Sequence, residues 1–268
     1  MIPSADEIRS TFRQLDSARL AALSNLTKDE MYDNGEMMAP GGLLLAQMMA
    51  EKMSLKAGQT VLDLGCGRGQ TSAFLASNFG VKAVSVDLWI GNEERSKKAE
   101  QFGVESLITS LQGDITRGLP AEFANFDAIF AMQSFHTFGT KNGILSYLGS
   151  LLKKGGKICI AQTCFDTETN NLPDIFRQTN GWNAEYEKYH SPDWWQSLFE
   201  ASGNFEVEFC EEISDGKVMW EDHVLYCGER SNWSKEYFEK TAWLIRQLIW
   251  GKINSPALTH FILSAAKK

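Results

Sequence analysis

The ten residues Thr60-Val-Leu-Asp-Leu-Gly-Cys-Gly-Arg-Gly69 constrain the fold of this chain more than any other stretch. Their apolar first half reads as a buried strand, the glycines as a turn, and Gln70 to Ala76 as the start of an amphipathic helix. Gly65, Gly67 and Gly69 stand at alternate positions, where they permit positive φ and leave no side chain in the way of a ligand. Asp63 sits two residues before the first of them. A dinucleotide site asks for G-x-G-x-x-G, and its third glycine would fall on Gln70, so that spacing fails.

The same punctuation continues downstream. Val81 to Asp87 reads as a second strand, Asn92 to Phe102 as a charged-faced helix, and Leu107 to Gln112 as a third strand ending at Gly113-Asp114. Phe126 to Ala131 is a fourth, a helix follows over 144–152, Gly155-Gly156 turns the chain, and Lys157 to Ala161 is a fifth. Strands alternating with helices argue for a parallel sheet covered on both faces. After residue 162 the alternation breaks. Residues 165–189 are polar and read as a loop with a short helix. Ser191-Pro192 opens a helix that closes at Gly203, Phe205 to Cys210 alternates as a half-exposed strand, and Leu258 to Ala265 is the last strand. Residues 213–257 interrupt the last two strands and carry Phe238, Ala242, Ile245 and Ile249 at helical spacing. A helix packed on the core is the simplest reading; a lid or a dimer surface is the sharper one. Trp220, Trp233, Trp243 and Trp250 supply apolar area in either case. Ahead of the first strand, Ile8, Phe12, Leu15 and Leu20 are loosely helical in spacing, and Leu43 to Met53 is a strongly apolar helix. The expected organisation is one domain over 1–268: a helical cap (1–58), a core (59–162), and a substrate-side region with the C-terminal strands (163–268).

Composition narrows the class of partner. The formal charge of −8 disfavours nucleic acid, whose binders show a basic face. No apolar run reaches the ~18 residues that span a membrane, and the first residues lack the basic and apolar regions of a signal peptide. Five cysteines, odd in number and without a CxxC pair, suit reduced thiols in a cytoplasmic protein and offer no zinc site. No metal is expected.

The pattern D-x-G-x-G-x-G at Asp63–Gly69 resembles motif I of class I S-adenosylmethionine (SAM)-dependent methyltransferases. The likeness runs through residues 37–228. Met38-Ala-Pro-Gly-Gly, Val86-Asp-Leu-Trp-Ile90, Gln133 to Gly139 and His190-Ser-Pro-Asp-Trp-Trp195 are similar to the bacterial type-11 small-molecule subgroup. The resemblance implies a Rossmann-like α/β fold: a seven-stranded, mostly parallel sheet with the last strand antiparallel. Helices cover both faces, with a helical cap before the sheet and a helical insertion before the last strand. It also implies SAM as cofactor and S-adenosylhomocysteine (SAH) as product. Gly65, Gly67 and Gly69 then allow close approach, Asp63 serves the amino-acid end, and Gln70 and Thr71 are candidates for its carboxylate or are simple helix-cap residues. Asp87, with Leu88 beside it, ends the second strand 20 residues beyond Gly67, where a carboxylate accepts from both ribose hydroxyls. Asp114 and Ile115 match the adenine-side positions, and Gln133 closes the fourth strand beneath the methyl donor at a position that is often acidic in the family. Each acid alone also reads as a cap of its own turn.

Methyl transfer from a sulfonium is an in-line displacement in which the protein chiefly aligns the nucleophile and excludes water. His136, after the fourth strand, is the base candidate; an aromatic-packed structural histidine between Phe135 and Phe138 is the equal alternative. His190 is a second candidate, more often a helix-cap support. Tyr32, Trp89, Trp194 and Trp195 are candidate pocket walls, though aromatics at such spacings are more often core. The expected activity is methyl transfer to a small-molecule O, N or S nucleophile by a monomer or homodimer. The competing readings are a SAM- or SAH-binding protein without turnover and a SAM-using enzyme of other outcome, such as lipid cyclopropanation.

Overall fold

The computed structural model describes residues 4–15, 26–178, 182, 184–230, 234–250 and 258–268. Leu20 and Trp233 lie outside the described residues, as does the side chain of Trp250. Among the described residues seven strands form one sheet in the order β3-β2-β1-β4-β5-β7-β6. They are β1 Thr60–Leu64, β2 Lys82–Asp87, β3 Ile108–Gln112, β4 Phe126–Met132, β5 Leu152–Phe165, β6 Phe205–Glu212 and β7 Leu258–Lys267. Strands β1 to β5 pair in parallel, and the last strand runs antiparallel. The chain moves outward from β1 through β2 to β3, then returns to β1's other side with β4. That reversal opens a crevice at the carboxyl ends of β1 and β4, where α/β sheets bind ligands.

Why β1 is central follows from its residues. Val61, Leu62 and Leu64 are wholly buried, as both faces of an inner parallel strand must be. Strand β5 begins five residues before the expected start. The Gly155-Gly156 turn is absorbed as a bulge: Phe126 pairs with Leu152 while Ala128 pairs with Lys157.

The described residues group into two compact units. The larger holds 45–162, 195–211 and 262–268, and with them most of the sheet. Its helices α4 (Gln70–Phe79) and α5 (Asn92–Phe102) pack Ala73, Ala76 and Ala99 against Val104, with Phe102, Leu107 and Ile108 at the edge. Helix α6 (Ile144–Leu151) buries Ile144, Leu145, Leu148 and Leu151 on one stripe, the pattern of a helix laid on a sheet. The numbering α1 to α3 belongs to the helices before β1: Ala5–Thr11, Lys28–Met31 and Gly42–Lys52.

The other unit holds 1–44, 163–194 and 212–261. Besides α1 and α2 it contains α7 (Asp174–Arg177). Among the described residues the insertion before β7 holds two helices, α9 (Gly216–Arg230) and α10 (Lys235–Trp250), not one; α8 (Pro192–Ala201) precedes them in the chain. Phe238, Ala242, Ile245 and Ile249 join Ile8, Phe12, Val224 and Leu225 in a single apolar cluster, so the helical spacing read from the sequence is a core stripe. Gly228 permits this: a Cβ there would meet the Phe238 ring at 2.2 Å. Leu15 also buries, although no described helix carries it. A polar node ties the N-terminal segment to α9. The wholly buried Asp222 carboxylate accepts from Tyr32 Oη at 2.9 Å and the Leu15 N–H at 3.1 Å, and pairs with Lys28. Burial holds the Asp222 carboxyl above the ordinary aspartate range despite these partners, and burial drops His223 to about 4 and His260 to about 3. Both histidines are therefore neutral core imidazoles at pH 7. All five cysteines are free thiols. Among the described residues no helix is long and apolar enough to cross a membrane.

Candidate functional site

Strand β1 delivers Asp63 into the interior at the carboxyl edge of the sheet, where it is 1% exposed. Its Oδ2 accepts from Ser72 Oγ at 2.6 Å, a residue one turn into α4 that the sequence did not single out. Burial raises the Asp63 carboxyl to about 7; the Ser72 hydrogen bond works the other way, Asp87 pushes it up, and Arg95 draws it down. Asp63 and Arg95 make no direct ion pair, and Arg95 acts on the carboxyl only through space.

The glycine turn is fixed by sterics and by backbone donors. Gly65 lies at φ +66°, and a Cβ on it would overlap the Ser134 Cβ at 2.4 Å. Ser134 Oγ in turn donates to the Leu64 carbonyl at 2.6 Å, pinning the loop after β4 onto the end of β1. Gly65 N–H and Cys66 N–H both donate to the Val86 carbonyl, at 2.8 and 3.2 Å. Gly67 and Gly69 also take positive φ, and Gly69 is the N-cap of α4. Gln70 and Thr71 occupy the helix's first turn and are buried.

Asp87 closes β2 against this turn. Its Oδ2 accepts from Gly67 N–H at 2.9 Å, and its Oδ1 from Trp89 N–H and Ile90 N–H at 2.8 and 2.9 Å. The spacing of 20 residues thus becomes a direct contact, with the carboxylate held in one orientation by three backbone donors. Leu88 is half exposed beside it, and Trp89 is exposed. Asp114 behaves differently. Its Oδ1 accepts from the N–H and hydroxyl of Thr116, at 2.9 and 2.7 Å, so the side chain caps the short turn Ile115–Arg117, and these hydrogen bonds hold its carboxyl below the ordinary range. Ile115 is buried in that turn.

The fourth wall is the loop after β4. Gln133 takes φ +54°, an uncommon conformation for a residue with a Cβ, and its N–H donates to the Ala161 carbonyl at 2.8 Å. His136 is buried, and its N–H donates to Gln162 Oε1 at 3.0 Å. Phe135 packs against Phe138, Trp195 and Phe199 in edge-on and tilted arrangements at centroid distances of 5.2–5.8 Å, which places Trp195 in the core. Tyr32 is likewise buried. In the other unit His190 Nδ1 meets Glu168 Oε2 at 2.9 Å and the ring stacks on Trp194 at 3.7 Å. The Glu168 carboxylate also accepts from Ser191 N–H and Oγ, whose hydroxyl accepts from Trp194 N–H, so this cluster sets the start of α8.

Arg95 is the residue the sequence reading missed most. It is 1% exposed, donates to the Ile90 carbonyl and Asn92 Oδ1 at 2.5 Å each, and its Cγ would lie 3.1 Å from a Cβ on Gly69. A signal existed: Arg95, Ala99 and Phe102 share one face of an otherwise charged helix.

A family model described as a methyltransferase domain matches residues 55–220, the segment that contains every element of this site. The chain belongs to the SAM-dependent methyltransferases. Among its curated relatives is phosphoethanolamine N-methyltransferase 3 of Arabidopsis thaliana, 27% identical over 249 residues, which cover 88% of this chain and 48% of that one. The chain spans about half the length of that relative, or less for others it matches. Two solved structures share the fold. Phosphoethanolamine N-methyltransferase 2 of Haemonchus contortus, in complex with phosphomonomethylethanolamine and SAH, has a TM-score of 0.70 at 17% identity, covering 93% of this chain and 59% of that one. Geranyl diphosphate C-methyltransferase of Streptomyces coelicolor A3(2), in complex with Mg2+, geranyl diphosphate and SAH, has a TM-score of 0.65 at 16% identity, covering 96% and 90%.

The methyltransferase site fits a SAM-shaped ligand in its chemistry. SAM is a cation at its sulfonium and ammonium, and Asp63 is a buried acid lacking a direct cationic partner. Three backbone donors take three of the four lone-pair sites of the Asp87 carboxylate, which leaves one, on Oδ2, for a hydroxyl hydrogen. Among the described residues no group of three His, Cys, Asp or Glu side chains is placed to hold a metal ion.

Proposed function

We propose that the chain transfers the methyl group of SAM to an O, N or S nucleophile of a small molecule, and that the whole chain serves as one methyltransferase domain. The observation that carries this reading is the docking of Asp87 under the glycine turn, with Asp63 buried alongside at the same sheet edge. In this reading Asp87 receives a ribose hydroxyl on Oδ2, Asp63 the ammonium, and the Gly65–Gly69 backbone lies against the cofactor; Leu88, Ile115 and Gln133 border it. Asp114 joins only through the oxygen that Thr116 does not occupy. When bound, the sulfonium supplies a methyl group already activated for displacement. The protein's own work is then to align the nucleophile, exclude water and accept a proton where the nucleophile carries one. His136 is assigned that proton: it follows β4 at the crevice, and its backbone is fixed by Gln162. Nothing else in the larger unit offers a buried imidazole at this edge, among the described residues.

The curated phosphoethanolamine N-methyltransferase relative and the phosphomonomethylethanolamine complex make a small polar amine the first acceptor to try. Calorimetric titration with SAM, SAH and NAD(H) tests the cofactor. Micromolar SAM and SAH binding with no NAD(H) response is expected; binding to NAD(H) alone, or to none, overturns the proposal.

A further inference from the structure

Within strand β5 the run Ile158, Cys159, Ile160 and Ala161 is wholly buried, and the next residue, Gln162, equally buried, places an amide in the interior. The orientation of that amide follows from chemistry. The His136 backbone N–H can only donate, so the atom 3.0 Å from it is the carbonyl oxygen Oε1. The other end is therefore an NH2 with two hydrogens to give, and Nε2 has no hydrogen-bond partner. Buried donors are seldom left unpaired, because a group stripped of water and given no acceptor costs free energy. The oxygen has a structural task, accepting the His136 N–H, but that task does not call for the NH2.

The position suggests the use. Ala161 pairs with Met132 across β4 and β5, and Gln133 N–H donates to the Ala161 carbonyl. Gln162 thus follows the residue whose carbonyl holds Gln133, the left-handed residue just after β4, and its own oxygen holds the loop carrying His136. One side chain fixes the loop of the base candidate and presents a rigid, oriented donor beside it.

Resting on the methyl-transfer reading above, we infer that Gln162 is a specificity-determining residue: its Nε2 donates to an oxygen of the methyl acceptor, so the enzyme takes acceptors that bear a phosphate, carboxylate or carbonyl oxygen near the nucleophile. The donor is neutral and cannot titrate, so it selects by hydrogen bonding and not by charge. An acceptor without that oxygen leaves the amide unpaired in the closed site, which is the strong form of discrimination.

The test uses acceptor pairs matched in nucleophile: phosphoethanolamine against butylamine, and p-hydroxybenzoate against p-cresol. In the SAH-bound wild type, the Gln162 side-chain amide resonances are identified by their loss in Gln162→Met. They are expected to shift on titration with the oxygen-bearing member of at least one pair and not with its apolar mate. Resonances unmoved by all four compounds, or moved equally within each pair, overturn the inference whether or not turnover is seen. Where an acceptor is methylated, Gln162→Met raises its KM at least tenfold with a smaller change in kcat and an unaltered SAM affinity. Gln162→Glu, which keeps oxygens for the His136 N–H, gives the same or a larger KM defect; an unchanged KM in both variants, or a tenfold loss of SAM affinity instead, overturns the assignment. A wild type that fails to bind SAM or SAH strikes the methyl-transfer reading and is seen in the calorimetry before any variant is made.

Discussion

Asp63→Asn separates what this carboxylate costs the fold from what it does for the ligand. With the carboxyl raised from the ordinary 3.8 to about 7 by burial, the folded apo chain holds this proton far more tightly than the unfolded one. The stability it contributes is whole below pH 3.8 and drains away as pH climbs to about 7. At about 1.4 kcal/mol per pH unit, the ionised form costs the apo fold roughly 4 kcal/mol above pH 7 and less than half of that at pH 5. Asparagine cannot titrate, keeps an oxygen for the Ser72 hydroxyl and occupies nearly the same volume. Whatever constant penalty the amide carries, the stability of the variant relative to wild type rises by roughly 2–3 kcal/mol between pH 5 and pH 8. Urea unfolding of both proteins at the two pH values, without SAM, measures this directly. Parallel pH dependences, or a relative stability that falls with pH, would refute the argument that burial dominates at Asp63. The complementary result concerns binding: SAM affinity of the wild type falls as pH drops below 7, and that slope is absent from the variant.

Three further outcomes are expected. Asp87→Ala removes the acceptor of three backbone N–H groups as well as the proposed ribose contact, and is expected to weaken SAM binding by ~1–3 kcal/mol in calorimetry. Gly65→Ala forces a Cβ into the Ser134 Cβ at a φ that L-residues resist, lowering the unfolding free energy by at least ~1–2 kcal/mol; a normal urea midpoint would mean the turn is not seated as described. His136→Ala lowers turnover on a methylated acceptor and flattens the pH–rate profile while SAM affinity holds; an unaltered profile returns the imidazole to a packing role.

Much of the site was legible because it depends on local rules. A glycine is needed wherever φ is positive, so Gly65, Gly67 and Gly69 declare the turn without knowledge of its neighbours. Asp87 was legible because a fixed helix length between β1 and β2 sets a fixed spacing. Asp114 shows where such reasoning stops. An acid at a strand end can face a ligand, its own turn or both, and the bond to Thr116 two residues on was not legible from the strand pattern. The Gly155-Gly156 turn failed as a strand boundary for a related reason: a bulge lets two extended segments share one ladder. Arg95 looked like one more charge on a solvated helix, and Gln162 like the polar residue that follows a strand; both are buried for reasons supplied by other parts of the chain.

The sequence by itself determined the order of strands and helices, the glycine turn and the acids at the ends of β1 and β2, because period, φ preference and strand length act over a few residues. Only the tertiary structure decided which polar groups lose their water. Burial raises Asp63, leaves the Gln162 amide without an acceptor, and puts Arg95 under the turn, and burial is a property of everything packed around a residue. The insertion at 213–257 belongs to the same class: its apolar stripe announced a buried face, but the close approach of α9 and α10, with Gly228 against the Phe238 ring, was visible only in the packing.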